Sequence, residues 1–224
     1  MSTGTIVVAA GSGTRLGAQR PKALVDLDGQ PIIVHAVRGV LDVSAIEQVV
    51  VVAPSACLEE VTDLVGGDRV TVVAGGAERT DSVAAGLAAL ERLQPDLSVV
   101  LVHDAARCLT PVAVFERVLD AVEGGAAAAI PGVAVVDTIK VVDGSGRVVA
   151  TPERSALRAV QTPQGFAADV LRRAHASGVG ATDDAALVES LGLDVVVVPG
   201  DARALKITVP EDLMTARRML RDGS

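Results

Sequence analysis

Thr5-Ile6-Val7-Val8-Ala9-Ala10 runs directly into Gly11-Ser12-Gly13-Thr14-Arg15-Leu16-Gly17-Ala18-Gln19-Arg20-Pro21-Lys22. The first part is a continuous apolar run, the pattern of a strand buried on both faces rather than one. The second part is a glycine-rich turn, where backbone N–H groups can converge on phosphate oxygens because glycine tolerates φ > 0 and close approach. Further strand patterns follow at 48–53, 70–74, 98–103, 127–130, 138–142, 147–150, 194–198 and 205–208, several reading VVVV or VVLV. Helical patterns lie between them at 32–41, 58–65, 81–93, 111–122, 167–176, 183–191 and 210–220. Pro111 and Pro210 sit where a first helical turn begins, and Thr80 is the expected N-cap of its helix. The alternation predicts an α/β fold with a mostly parallel sheet.

One stretch breaks the rhythm. The runs at 138–142 and 147–150 flank Asp143-Gly144-Ser145-Gly146 and read as a β-hairpin, either an edge ornament or a projecting arm. No Pro/Ser/Gly linker divides the chain, so one domain over 1–224 is expected, with the hairpin arm at about 136–154.

Composition narrows the function. Half of the 224 residues are hydrophobic but only 1% are aromatic, and the formal net charge is −8. An acidic chain with two Phe and no Tyr or Trp has little with which to stack bases, so no nucleic-acid partner is expected. No apolar run approaches the ~18–20 residues of a membrane span, and the N-terminus enters a strand pattern at once, so no membrane association and no signal peptide are expected. Cys57 and Cys108 stand apart without a CxxC or Cys/His cluster. They read as reduced thiols of a cytoplasmic protein.

Three segments could carry chemistry. The glycine loop holds Arg15, Arg20 and Lys22, a cationic cluster in an acidic chain, and reads as a polyphosphate cradle or as a turn with solvated charges. It lacks the Gly-Lys-Ser/Thr of an ATPase loop, and Leu16 stands where a dinucleotide fingerprint needs its third glycine. Only three of the 20 basic residues are Lys, at 22, 140 and 206, which marks Lys22 and Lys206 as positions where a compact ammonium is wanted. Second, 99–102 ends in His103-Asp104-Ala105-Ala106-Arg107. Asp104 at the carboxyl edge of a sheet suits Mg²⁺ beside a triphosphate, or a cap; His103 reads as structural. Third, Gly75-Gly76-Ala77-Glu78-Arg79-Thr80-Asp81-Ser82 opens a helix, whose N–H donors can read a base edge or an anion, or simply cap. The segments 151–154, 161–166, 182–185 and 206–208 are turn or cap signals when taken singly.

In order, GGAERTDSV, VHDAAR, VDTIK, AVQTPQGF, TDDA and LKIT resemble the 2-C-methyl-D-erythritol 4-phosphate cytidylyltransferase family, with the glycine loop at their head, over positions 9 to 208. The resemblance implies a Rossmann-like domain with helices on both faces, CTP and methylerythritol phosphate as substrates, Mg²⁺, and a homodimer interlocked by the hairpin arm. Matched position by position, it implies that Arg15 and Lys22 stabilise the transition state and that Arg154 and Lys206 hold the methylerythritol phosphate for attack. Ala9, Ala10, Gly11, Gly13, Gly76 and Ser82 fall on the nucleotide side. Asp104, Arg107, Thr138 and Thr162 line the metal or the second substrate, with Asp104 as the metal-side carboxylate. Two positions depart from the family pattern: Ala77 where Asp is frequent after the two glycines, and Cys108 where Pro is usual after HDAAR. A dehydrogenase would want an acidic residue where Ala53-Pro54 stand, and a non-catalytic nucleotide sensor has no need of Arg15, Lys22 and Asp104 together.

Overall fold

Val49 and Val51 face one apolar layer and Val50 and Val52 face another, and all four are fully buried. That is why the run carries no polar alternation: helices cover the sheet on both sides. The computed structural model describes residues 1–11, 13, 16–17 and 20–222.

In chain order the strands are β1 (Ser2–Val8), β2 (Asp26–Leu27), β3 (Gln30–Pro31), β4 (Gln48–Ala53), β5 (Val70–Ala74), β6 (Leu97–Asp104), β7 (Ala128–Ala134), β8 (Val141–Val142), β9 (Val148–Ala150), β10 (Arg158–Val160), β11 (Gln164–Ala167) and β12 (Val195–Pro199). The helices are α1 (Ile32–Leu41), α2 (Leu58–Val65), α3 (Arg79–Leu93), α4 (Val112–Glu123), α5 (Ala168–Ala176), α6 (Asp184–Ser190) and α7 (Pro210–Asp222). The main sheet runs β10-β7-β11-β6-β1-β4-β5, with β12 alongside β7. The pairs β1–β4, β4–β5, β1–β6 and β7–β12 are parallel, and β11 and β10 enter antiparallel. The α/β expectation with a mostly parallel sheet is met.

Helices α1, α2, α4 and α7 contribute to one layer with Phe115 in it; α3, α5 and α6 contribute to the other with Phe166 in it. Both Phe side chains are fully buried, and truncating either to Ala would cost about 3–5 kcal/mol. No helix among the described residues is long and apolar enough to cross a membrane.

The sheet order positions the site. The chain leaves β1 toward β4 and β5 on one side, then returns to β6 on the other. Ligands of open α/β sheets bind at such a reversal, outside the carboxyl ends of the strands. Here those ends are Val8 and Asp104, which are partners in register.

Several expectations are corrected. The first strand covers Ser2–Val8 rather than 5–10: Ala9 still donates to the Val52 carbonyl at 2.8 Å, but the ladder has ended. Thr80 is not the cap of α3. Glu78 occupies that position and its N–H donates to the Asp81 carboxylate at 3.1 Å. Pro111 precedes α4 instead of opening it, whereas Pro210 opens α7 as expected. The run at 205–208 is not a strand. Ile207 is buried and donates one hydrogen bond to the Ala106 carbonyl, and a short 3₁₀ turn, Ala202–Ala204, precedes it. The two arm strands are shorter than expected, but their turn is in place, with the Asp143 carboxylate accepting from the Ser145 and Arg147 N–H groups.

Candidate active site

A cavity of about 420 Å³ opens at the β1/β6 reversal. Its lining comes from five chain segments: the end of β1 with the glycine loop, the first residue of α1, the start of α3, the end of β6 with the turn after it, and the connection before α7. Of the residues singled out from sequence, Ala9, Ala10, Gly11, Lys22, Gly76, Ser82, Asp104 and Lys206 line it together. Arg15 lies outside the described residues.

Two glycines are required by this geometry. Gly13 has φ +74°, and a Cβ there would lie 3.0 Å from the Lys22 backbone nitrogen, so the loop folds back on the residue that carries the cation. The Lys22 N–H donates to the Gly11 carbonyl at 3.3 Å, which closes that fold. A Cβ on Gly76 would lie 2.2 Å from Asp81 Cβ, so only glycine allows this turn to reach the helix start. Ser82 is buried, and its hydroxyl donates to the Glu78 carbonyl. Arg20, grouped by sequence with the loop cations, is instead ion-paired with Glu60 of α2.

Asp104 is the hub of the polar side. Its Oδ2 lies 2.7 Å from Lys206 Nζ, and its Oδ1 lies 3.8 Å from Arg79 Nε. Burial disfavours the charged carboxylate, but the Lys206 ammonium and its hydrogen bond, with Arg79 and His103 adding to it, hold the pKa below the ordinary range. The Thr162 hydroxyl accepts the Asp104 N–H at 3.0 Å and is hydrogen-bonded to His103 Nδ1 at 3.0 Å. Thr162 therefore fixes the end of β6 from behind. Burial pushes the pKa of His103 down to about 4, against the opposing pull of Asp104, and the ring packs on Phe115 with centroids 4.9 Å apart. It is a structural histidine, as its sequence context suggested.

Arg107 does not line the cavity. Its guanidinium donates to the Ala204 carbonyl at 2.7 Å and to the Val160 carbonyl at 3.2 Å, tying down the segment that leads to Lys206. Thr138 and Arg154 lie on the exposed arm. Arg154 donates to the Val136 carbonyl at 2.8 Å. This chain alone does not bring them to the cavity lining.

Sequence reasoning named Arg79 only as part of a segment, yet it lines the cavity and is bonded to buried Asp184 at 2.6 Å. Burial opposes its charge, but Asp184 and Asp104 outweigh that and raise its pKa. The detectable signal was a cation at the first turn of a helix, where a cation is disfavoured unless something nearby needs it.

A sheet reversal that gathers a glycine turn, Lys22, Arg79 and Lys206 around one ionised carboxylate defines a phosphate-handling α/β protein of the nucleotidyltransferase kind. The comparisons carry this to a family. The family model of 2-C-methyl-D-erythritol 4-phosphate cytidylyltransferase (IspD) matches residues 4–222. The enzymes of that name from Rhodococcus jostii and Saccharopolyspora erythraea are each 53% identical to the chain, over 98% of its length and 95% and 100% of theirs. The crystal structure of the Thermus thermophilus enzyme superposes with a TM-score of 0.78 at 34% identity, covering 99% of this chain and 100% of that one. That of 4-diphosphocytidyl-2C-methyl-D-erythritol synthase from Anaerococcus prevotii superposes with a TM-score of 0.86 at 27% identity, covering 98% of each chain. The chain belongs to the 2-C-methyl-D-erythritol 4-phosphate cytidylyltransferase family, and is a cytidylyltransferase.

Proposed function

We propose that this cavity is where the chain transfers CMP from CTP to 2-C-methyl-D-erythritol 4-phosphate, releasing pyrophosphate. The observation that carries the reading is the gathering of Lys22, Arg79 and Lys206 at one cavity in a chain of net charge −8. A phosphate oxygen of the second substrate forms a bond to the α-phosphorus of CTP. The bond from that phosphorus to the bridging oxygen breaks, and pyrophosphate leaves with the electron pair. A phosphate monoester, with a second pKa near ~6, is largely dianionic at neutral pH, so the nucleophile needs no general base. The barrier is electrostatic: a dianion must approach a triphosphate while charge builds at the α-phosphoryl oxygens, and fixed cations act on that charge.

In this reading Lys22 and Arg15 stabilise the transition state. Lys206 and Arg154 hold the phosphate of the second substrate. Ala9, Ala10, Gly11 and Gly13 present the loop backbone to the triphosphate, and Gly76 and Ser82 face the nucleoside. Asp104 faces the metal and the second substrate, Thr138 joins it from the arm, and Arg107 and Thr162 hold that side in place from outside the cavity lining.

A divalent cation fits this donor set. No three His, Cys, Asp or Glu side chains converge among the described residues, but Asp104 supplies one ionised carboxylate at the cavity. Mg²⁺ takes one or two carboxylates and completes its shell with phosphate oxygens and water. Bound there, it would neutralise developing phosphoryl charge.

The arm supports a homodimer. Val136, Val142, Val148 and Val149 are each more than half exposed on this chain, an apolar surface that a second copy would cover. On this reading one nucleotidyltransferase domain spans the chain and the arm at 136–154 carries Thr138 and Arg154 to the partner's cavity. The two free thiols suit a cytoplasmic setting.

The test is pyrophosphate release from CTP by the purified protein, with methylerythritol phosphate and with other phosphorylated alcohols, in Mg²⁺ and in excess chelator. Release should require both methylerythritol phosphate and Mg²⁺. Release independent of the alcohol phosphate would overturn the assignment; full release in chelator would remove the metal alone.

A further inference from the structure

Asp184 is almost wholly withdrawn from water, with 1% of its side chain exposed. It takes no part in capping its own helix: the N-cap of α6 is Asp183, which accepts the Ala186 N–H at 3.0 Å. Its two oxygens go elsewhere. Oδ2 accepts from Arg79 Nη1 at 2.6 Å, and Oδ1 is bonded to His175 Nε2 at 3.0 Å. Arg79 then reaches Asp104 through Nε at 3.8 Å, and Asp104 meets Lys206 at 2.7 Å. A line of five side chains thus runs from α5, behind the sheet, into the cavity.

The distances are unequal in an informative way. Arg79 carries one guanidinium between two carboxylates and is drawn close to the buried one. Asp104 carries one carboxylate between two cations and is drawn close to Lys206. Without the Asp184 charge, the nearest remaining counterion of Arg79 would be Asp104, and a desolvated guanidinium would move onto it. Lys206 and Arg79 would then compete for the same carboxylate, at the point where the second substrate's phosphate is to be held.

We propose that Asp184, backed by His175, is a positioning residue for phosphoryl transfer: it holds the Arg79 guanidinium off Asp104 so that Asp104 stays with Lys206 and the cavity. The inference rests on the reading of this cavity as the site of cytidylyl transfer. Asp184 does not line the cavity, so its effect passes through Arg79.

A double-mutant cycle tests it. Asp184→Asn, Arg79→Gln and the charge-balanced double variant are assayed for kcat and KM, with melting temperature and far-UV circular dichroism recorded for each. Asp184→Asn should lower kcat by about tenfold and leave KM for CTP within about twofold, and in the Arg79→Gln background it should lower kcat no further. An equal loss in both backgrounds, or no loss in either, would overturn the proposal. If Asp184→Asn does not fold, Arg79→Lys decides, because it keeps the charge and loses the fork that spans two carboxylates. Its kcat should then fall by about tenfold with KM for CTP held, and an unchanged kcat overturns the proposal. Wild-type protein in the same assay separates the two levels. No turnover of CTP with methylerythritol phosphate would overturn the reading of the site and this inference with it. Turnover by wild type with an additive cycle would overturn this inference alone.

Discussion

Lys206 Nζ and Asp104 Oδ2 lie 2.7 Å apart, joining the connection before α7 to the last residue of β6. The cation is 43% exposed and the carboxylate 11%, so the pair presents its positive end to the cavity. Asp104→Asn keeps the shape and removes the charge that both Lys206 and Arg79 face. We expect kcat/KM to fall by about 10–100-fold, with circular dichroism unchanged. Wild-type kcat/KM in this variant would take the carboxylate out of the reaction.

Lys22 stands at the closure of the glycine turn, where its backbone is locked against Gly13 and Gly11. Lys22→Ala should reduce kcat by about 10²–10³-fold, the scale for losing one fixed donor to a charged transition state. KM for CTP should move much less, because the interaction strengthens as charge develops. Steady-state kinetics at saturating CTP check this, and an unchanged kcat would remove Lys22 from the mechanism.

Arg154 and Lys22 should serve one site from two chains. Homodimers of Lys22→Ala and of Arg154→Ala should each be nearly inactive. In a mixed dimer one site would carry both defects and the other neither, so random co-refolding of equal amounts should restore about a quarter of all sites. Titration of active sites reads this directly, at about a quarter of sites in the random mixture and about half in isolated mixed dimers. No recovery would refute the cross-subunit arm and leave the transfer reaction standing.

Cys108 carries a pH dependence. Burial pushes its thiol up to about 12, well above the ordinary value, so the folded protein keeps the proton while an unfolded chain would lose it near pH 9. Between those values the unfolded state binds fewer protons, and stability should fall as pH rises above about 9. Urea midpoints of wild type and Cys108→Ala, compared at pH 7 and pH 10, check this: the wild-type midpoint should drop more. Equal drops would mean that the thiol ionises in the folded state.

The parts of the fold legible in the sequence were those in which burial on both faces writes a continuous run. The runs at 48–53 and 70–74 and the helices at 32–41 and 58–65 have the expected bounds. Strands β10 and β11 were missed because Arg158–Val160 and Gln164–Ala167 are three and four residues long, and what makes them strands is pairing with β7 and β6 far along the chain. The run at 205–208 misled for the opposite reason. Ile207 is buried and Lys206 exposed, which mimics strand alternation, but the segment has one backbone tie to Ala106 rather than a ladder. At the site, the glycine turn, Asp104 and Lys206 were readable as residue types in suggestive places. The link from Asp184 to Arg79 joins residues 105 apart, a relationship that appears only once α3 and α6 lie on the same face of the sheet.

The most direct measurement follows the oxygens. Methylerythritol phosphate labelled with ¹⁸O at its non-bridging phosphate positions is turned over with unlabelled CTP, and the products are read by the isotope shift in ³¹P NMR. Attack by a phosphate oxygen on the α-phosphorus leaves ¹⁸O in the new P–O–P bridge, with the released pyrophosphate unlabelled. Label in the pyrophosphate, or a bridge without label, would contradict the account.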